Sequence, residues 1–132
     1  MRMVIQRCYL FLLISLVACT SKDEMYIPAQ KMPVGFHKEF YTKSIEILNI
    51  IDSKMRAELP YTEEERKHVL GYFIKPTESD EELLFKADFS ILEGIFQKYF
   101  EEKSKNNKTE MKRLNDMYND SIKKVLRDLN LA

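Results

Sequence analysis

Apolar residues recur every three or four positions through most of residues 36–132, which is the spacing of one face of an α-helix. The first such stretch covers residues 36–59 and stops at Pro60, because proline lacks the amide hydrogen that a helix interior requires. We therefore predict a first amphipathic helix with one apolar side facing a core. Its apolar stripe consists of Tyr41, Ile45, Leu48, Ile51, Met55 and Leu59.

Capping sequences mark the start of two further helices. Thr62 precedes Glu65 by three residues, so each side chain can accept a hydrogen bond from the other residue's backbone amide. This capping box predicts a second helix that ends before Pro76. Ser79 and Glu82 repeat the spacing and predict the start of a third helix. The predicted core side of the second helix consists of Val69, Leu70, Tyr72, Phe73 and Ile74.

Residues 83–100 form the most apolar segment, with apolar side chains over well over half of the helix circumference. A helix of this kind has to be surrounded by other helices. We therefore predict that it forms the centre of a bundle, with Leu92 and Phe96 nearly fully buried. Gly94 lies on its less apolar side, where a neighbouring helix is expected to approach closely. The apolar residues are Leu83, Leu84, Phe85, Phe89, Ile91, Leu92, Ile95, Phe96, Tyr99 and Phe100.

A polar segment, residues 101–108, separates the third helix from a last apolar stripe. Either a turn or a solvated stretch of one long helix fits this segment, and a turn would close the bundle better. Thr109 and Glu110 are suited to cap the last helix. Its stripe consists of Met111, Leu114, Met117, Tyr118, Ile122, Val125, Leu126 and Leu129.

The fold class that follows is all-α, a small antiparallel bundle of about four helices over residues 36–132. Before it, residues 19–35 contain Pro28, Pro33 and Gly35, which interrupt regular structure and predict a flexible tether. The segment is nevertheless apolar for a linker, so part of it could equally fold back on the domain. Its apolar residues are Met25, Tyr26, Ile27, Met32 and Val34.

The N-terminal residues are organised like a secretory signal. Arg2 and Arg7 give the first seven residues a positive charge without any acid, and residues 8–18 are almost entirely apolar. Such an apolar run is far shorter than the roughly 20 residues that a membrane-spanning helix needs. Residues 1–18 are therefore predicted to be a removable signal peptide.

The end of this segment, Leu16-Val17-Ala18-Cys19, resembles the lipobox of bacterial lipoproteins. The resemblance implies that a diacylglycerol is joined to the thiol of Cys19, that the chain is cleaved just before it, and that the new amine is usually acylated. One acyl chain binds a bilayer only marginally, whereas two or three hold it stably. A core helix that happens to contain Cys19 is the alternative, but the basic flank and the extreme N-terminal position argue against it.

The cysteine count agrees with this interpretation. The chain has two cysteines, and Cys8 lies inside the predicted signal peptide, so only Cys19 remains in the processed chain. An internal disulfide, a cysteine nucleophile and a cysteine-based metal site are therefore excluded from that chain. Its stability has to come from the helical core.

Charge gives no reason to expect a nucleic-acid partner. The chain has 21 basic and 21 acidic side chains, and neither sign dominates. Lys105, Lys108 and Lys112 follow the third predicted helix and leave two possibilities open. They form either a mildly basic face that attracts acidic partners or, with Asp116, Asp120 and Asp128 interspersed along the last helix, a mixed-charge solvated surface.

The two histidines offer little for metal chemistry. Glu65 and His68 have the spacing of half a carboxylate metal site in a helix bundle, but a second such pair is lacking. Glu63 and Glu64, with Glu65, are better explained as acids at the positive end of a helix. His37 falls near the first apolar stripe, where a histidine at the core edge is expected. We predict no metal, no cofactor and no catalytic residue.

Asp88 falls in the middle of the apolar arc of the third predicted helix. A lone carboxylate in that position would be costly to bury, so it needs a partner. A histidine, Arg66, a tyrosine hydroxyl or a helix end could serve. The expected role is a polar contact that fixes the helix register rather than a functional acid.

The whole chain is also similar in style to the small surface lipoproteins of Borrelia-type spirochaetes. The likeness consists of a polar start after Cys19, frequent Lys, Ile, Phe and Asn, no Trp and a helical cargo. It implies an outer-membrane, often surface-exposed location, with host or envelope proteins as partners. Thr20 also differs from the Asp that marks inner-membrane retention in enteric bacteria.

Two functional classes follow from these expectations. The first is a membrane-anchored, non-enzymatic protein-interaction module at the outer membrane or cell surface. The second is a periplasmic envelope assembly or exclusion factor, such as a secretion pilotin or a phage or plasmid exclusion lipoprotein. A small hydrolase is a distant third.

Overall fold

The structure, a computed structural model, describes residues 25–132. Within this range the regular structure consists of four helices and no strands, which confirms the prediction of an all-α fold with about four helices. The helices are α1 (Lys38–Ala57), α2 (Glu63–Ile74), α3 (Asp80–Ser104) and α4 (Lys108–Asp128).

Hydrogen bonds between α1 and the C-terminal part of the chain show how these elements are oriented. Near the start of α1, the Tyr41 hydroxyl donates to the carbonyl oxygen of Leu129 at 2.8 Å. Near its end, the Asp52 carboxylate accepts from the Tyr118 hydroxyl, also at 2.8 Å. The start of α1 thus contacts the residue that follows α4, and the end of α1 contacts the middle of α4. Helices α1 and α4 are therefore antiparallel.

Helix α2 is likewise antiparallel to α1. The hydroxyl oxygens of Ser44 and Tyr72 lie 2.6 Å apart, while further along α1 the Lys54 ammonium lies 3.1 Å from the Glu65 carboxylate. A short turn connects α3 to α4, and the two helices pack against each other along their length. The result is an antiparallel bundle, as expected from the short connections.

The core lies between the inward stripes of all four helices. Leu92 and Phe96 are 0% and 1% exposed, which confirms the prediction for the third helix. Truncating such side chains leaves cavities, so these two residues contribute strongly to stability. The other buried apolar residues are Tyr41, Ile45, Ile47, Leu48, Ile51, Met55, Val69, Tyr72, Phe85, Phe89, Ile95, Tyr99, Leu114, Tyr118, Val125 and Leu129.

Helix α3 is not surrounded, which corrects one expectation. Leu83, Leu84 and Ile91 are each more than half exposed, because α3 packs against its neighbours through one side only. In a bundle of four helices, the side of each helix that faces away from the core is in contact with solvent. Gly94 also lies in open space, since a Cβ atom there would meet nothing within 4 Å. No other helix approaches Gly94 closely, so the expected contact at this residue is absent among residues 25–132.

The ends of α1 and α2 partly match the sequence prediction. Helix α1 ends at Ala57, before Pro60, because Glu58 turns the chain with a left-handed φ of 56°. Leu59 consequently leaves the apolar stripe and is exposed. The predicted capping box at Thr62 is present in full. On α2, however, only Val69 and Tyr72 are buried, whereas Leu70 and Ile74, also predicted to face the core, are exposed because α2 covers only one edge of the bundle.

The connection between α3 and α4 is a turn, which settles the alternative left open by the sequence. Asn106 adopts a left-handed φ of 56°, and the Asn107 side chain accepts from the Glu110 amide at 3.3 Å. Asn107 therefore caps α4, rather than Thr109 as predicted. An asparagine serves here because its short carbonyl reaches the amide three residues on.

Residues 25–35 fold back along α1 instead of extending away. The Asn49 side chain bonds both the amide and the carbonyl of Tyr26, at 2.8 and 2.9 Å. Further along, the Ala29 amide donates to the Tyr41 hydroxyl, and the Asn130 side chain donates to the Lys31 carbonyl. This part of the predicted tether therefore belongs to the folded domain.

Candidate functional site

A cavity of about 270 Å³ opens at one end of the bundle. It lies where the first turns of α1, the second half of α2 and the first two turns of α3 meet. Polar and charged side chains from three helices thus reach a common space beside aromatic rings. The lining includes His37, Phe40, Gly71, Tyr72, Glu82 and Lys86.

A buried carboxylate organises one side of this cavity. Glu82 is only 1% exposed, and its two oxygens accept from the backbone amides of His37 and Glu78 at 2.8 and 3.0 Å. The Ser79 side chain accepts from the Glu82 amide, as a cap should, but the Glu82 carboxylate does not return the bond. The second predicted capping box is therefore only half formed, because the carboxylate instead ties the start of α1 to the start of α3.

The His37 ring completes this group. Its Nδ1 atom lies 2.9 Å from the Glu82 carboxylate and 3.6 Å from that of Glu78. The hydrogen bond to Glu82, followed by its negative charge, raises the pKa of His37. Burial acts to raise the pKa of Glu82, but the bonds from the two amides and the ring outweigh it and lower that pKa. His37 is thus the exposed N-cap of α1 and not a core-edge residue as expected.

Lys86 lies on the other side of the cavity and is 9% exposed. Its ammonium group donates to the backbone carbonyl of Lys75 and lies 5.2 Å from the centre of the Tyr72 ring. Burial, and then the nearby charge of Lys75, lower the pKa of Lys86. Within residues 25–132, Lys86 forms no ion pair with a carboxylate.

Two aromatic rings form the apolar wall. Phe40 and Tyr72 are stacked with their centroids 5.9 Å apart, and the Tyr72 hydroxyl bonds the Ser44 hydroxyl. Burial raises the pKa of Tyr72, so its hydroxyl stays neutral. Gly71 lies beside this wall, with open space where a side chain would be.

The residues considered for a metal are not brought together. His68 lies 2.5 Å from the Glu46 carboxylate on α1, while Glu65 pairs with Lys54 and caps α2. In the part of the chain that the structure describes, no three His, Cys, Asp or Glu side chains form a group that could hold a metal ion. His68 does line the same cavity as His37, which their separation in the sequence gave no reason to expect.

Asp88 has a different partner from those expected. Its side chain is 29% exposed, and its carboxylate lies 3.4 Å from the Lys124 ammonium. The Asp128 carboxyl is also adjacent, and burial, then the bond with Asp88, raise the pKa of Asp128. Asp88 therefore lies at the edge of the core and joins α3 to α4, because α4 covers this part of the apolar arc incompletely.

A second cavity, of about 460 Å³, lies near the other end of α1. Its polar centre is Asp52, which is 5% exposed and accepts from the hydroxyls of Tyr118 and Tyr26. The Arg56 guanidinium lies 3.1 Å from the same carboxylate. The sequence analysis did not single out Asp52 as a buried polar residue. Its position beside Ile51 and Met55, on the apolar side of α1, could have indicated its burial.

Two of the three lysines around the last turn, Lys105 and Lys112, lie beside acidic side chains. Lys105 lies 3.7 Å from Glu101 and 3.6 Å from Glu102, and Lys112 lies 3.2 Å from Asp116. This surface therefore carries both signs of charge at short range, which favours the mixed-charge possibility over a basic face.

The predicted lipidation residue, Cys19, lies outside the described residues. No described helix is long and apolar enough to cross a membrane. No protein-family model, no curated protein and no solved structure matches the chain. What the site can do follows from its own groups: an ammonium, a histidine–carboxylate pair and an aromatic wall around one cavity.

Proposed function

We propose that this protein is a lipid-anchored bacterial envelope lipoprotein whose helical domain binds another protein without catalysing a reaction. The observation that carries the proposal is the sequence Leu16-Val17-Ala18-Cys19 placed directly before a folded four-helix domain. Acylation of Cys19 would supply the membrane attachment. The proposed partner is a host or envelope protein, and the proposed location is the outer membrane, including the cell surface.

The spacing between the anchor and the domain supports a position close to the bilayer. Tyr26 is already bonded to Asn49 of α1, and it follows Cys19 by seven residues. A fully extended chain of that length spans at most about 25 Å. A lipidated Cys19 would therefore hold the domain near the membrane, with the half of α1 that contains Asp52 closest to the anchor.

The surface of α3 supports a protein partner. Leu83, Leu84 and Ile91 are 59%, 69% and 59% exposed and share one side of the helix. Exposed apolar groups clustered in this way commonly mark protein contacts. The interaction would be carried by a preformed helical surface, so little ordering entropy would be lost on binding.

Lipidation is tested by expressing the full chain in a bacterial host and measuring the mass of the processed protein. The wild type should start at Cys19 and carry a diacylglyceryl group, and it should partition into detergent. Cys19→Ala should remain unprocessed or become soluble, whereas Cys8→Ala should behave like the wild type. A Cys19→Ala protein that is still cleaved and still partitions into detergent would contradict the anchor.

The surface location is tested by treating intact cells with a membrane-impermeant amine-reactive label. Lys112, whose side chain is 80% exposed, should be labelled on intact cells if the domain lies outside. Labelling only after the outer membrane is opened would place the domain in the periplasm. That result would favour the second class, an assembly or exclusion factor.

Protein binding is tested with a photo-cross-linking amino acid at position 91 of the lipid-anchored chain, in intact cells. We expect a discrete adduct at position 91 and none at position 112, which lies on α4. The adduct should weaken when Cys19→Ala removes the anchor. Absence of any adduct at positions 83, 84 and 91 would contradict an interaction through this surface.

A further inference from the structure

Lys86 is a buried residue whose ammonium group has no acidic partner among the described residues. A lysine that is nine-tenths buried is normally paired with a carboxylate, because desolvation of the charge is otherwise uncompensated. Here the ammonium donates to the Lys75 carbonyl and lies over the Tyr72 ring. An ammonium has three donors, so hydrogen-bonding capacity remains on the cavity side.

The acids that line the cavity do not satisfy this charge. Glu82 and Glu78 both face His37, at 2.9 and 3.6 Å from its Nδ1 atom, and Glu39 is solvent-exposed. Lys67 and Lys75 also line the cavity, and neither forms an ion pair within residues 25–132. Lys67, Lys75 and Lys86 therefore line the cavity without acidic partners in the described part of the chain, while Glu78 and Glu82 are both engaged by His37.

The wall beside Lys86 is apolar and partly unfilled. The rings of Phe40 and Tyr72, stacked on each other, supply the apolar lining, and Gly71 leaves open space next to them. A volume of about 270 Å³ is close to the lower end of the roughly 300–1,000 Å³ that small-molecule sites occupy. A ligand that fits has one anionic end and a compact apolar body.

We propose that this cavity binds a small organic acid, that is, a carboxylate joined to an aromatic or short aliphatic body. The carboxylate would accept from the Lys86 ammonium, and the apolar body would lie along Phe40 and Tyr72. This binding activity goes beyond the proposed anchoring function and does not depend on lipid at Cys19.

The probes are 2-naphthoate and octanoate, with 2-naphthylmethanol as the uncharged counterpart of the first. Binding to the purified full chain is measured by calorimetry and by ligand-observed NMR. We expect at least one of the two acids to bind and 2-naphthylmethanol to bind at least about tenfold more weakly, because it cannot form the charged hydrogen bond. Failure of both acids to bind, or equal binding of the alcohol, would overturn the proposal.

Two kinds of variant locate the probe. Lys86→Gln should weaken binding of the acid at least about tenfold, whereas Lys86→Arg should largely preserve it. Gly71→Leu should abolish binding by filling the cavity, and Gly94→Leu is its matched control on α3. At both glycines a Cβ atom meets nothing within 4 Å, so these variants test the cavity even if Lys86→Gln disturbs the fold. Unchanged affinity in Gly71→Leu would place the probe elsewhere and refute the site.

Discussion

The Nδ1 atom of His37 lies 2.9 Å from the carboxylate of Glu82, a residue 45 positions away in the sequence. The same carboxylate accepts from the backbone amide of His37, so one buried acid holds both the ring and the backbone at the start of α1. The contact joins α1 to α3 at the mouth of the cavity. It also makes the stability of this end of the bundle depend on pH.

The sign of that dependence follows from the two pKa values. His37 has a raised pKa, so its contribution to folding is complete below the ordinary value of 6.5 and is lost as the pH rises through the raised value. Glu82 has a lowered pKa, so its contribution is complete above the ordinary value of 4.5 and is lost as the pH falls through the lowered value. The pair should therefore stabilise the fold most between these two ordinary values.

The first prediction is that His37 titrates above 6.5 and that Glu82→Gln returns its pKa toward 6.5, because the variant removes the main cause of the shift. Proton NMR of the imidazole ring measures both values. Glu78 also faces His37, so Glu78→Gln is the control and should change the pKa of His37 less. A His37 pKa that is the same in wild type and Glu82→Gln would contradict the contact.

A second prediction concerns thermal unfolding. His37→Gln should lower the melting temperature more at about pH 5.5 than at about pH 8.5, because the wild-type ring is charged below its ordinary pKa and loses that charge as the pH rises through the raised pKa. Scanning calorimetry at the two pH values measures the difference. An equal loss at both would mean that the ring contributes only through packing.

The third prediction tests the core. Phe96→Ala should lower the free energy of unfolding by about 3–5 kcal/mol, because Phe96 is 1% exposed and its truncation leaves a cavity. Ile91→Ala on the opposite side of α3 is the matched control and should cost within about 0.5 kcal/mol, since Ile91 is 59% exposed. Chemical denaturation measures both. Similar losses of unfolding free energy for the two variants would contradict the orientation of α3, with Phe96 in the core and Ile91 in solvent.

The fourth prediction concerns the buried carboxylate of Asp52. Tyr118→Phe should cost about 1–3 kcal/mol, because it removes a 2.8 Å hydrogen bond to a carboxylate that is shielded from water. Tyr61→Phe, which removes a longer bond of 3.3 Å to Glu93, should cost less. Burial, then the charge of Asp52, raise the pKa of Tyr118, so this residue should stay neutral when exposed tyrosines ionise in an alkaline titration. Early ionisation of Tyr118 would contradict its burial.

The fifth prediction gives opposite signs for two glycines. Gly35 has a φ of +88°, which other residues rarely adopt, and an added Cβ would lie 2.5 Å from the Glu81 side chain. Gly35→Ala should destabilise the fold by about 1–3 kcal/mol because of this φ, whereas the exposed Glu81 side chain can move away. Gly94→Ala should instead stabilise it by about 0.5–1 kcal/mol, because Gly94 is inside a helix with free space around it. If both variants shift the melting temperature in the same direction, the contrast predicted between Gly35 and Gly94 is wrong.

Interactions between residues that are close along the chain could be predicted from the sequence. The Thr62 capping box joins residues only three positions apart, and the structure contains it in full. The burial of Leu92 and Phe96 was readable for a similar reason, since helical spacing alone places them in the middle of an apolar stripe. The four helices and the all-α class follow from the same periodicity.

What only the tertiary structure decided depends on contacts between distant residues. The sequence assigned Glu82 to a local cap, but helix packing brought it to His37 and left Lys86 beside an open cavity. Helix packing also decided which apolar residues of α3 remain exposed. The spacing of apolar residues shows how wide the apolar surface of a helix is, but not how many neighbouring helices cover it. Periodicity is a property of one helix, whereas pairing and coverage are properties of several packed together.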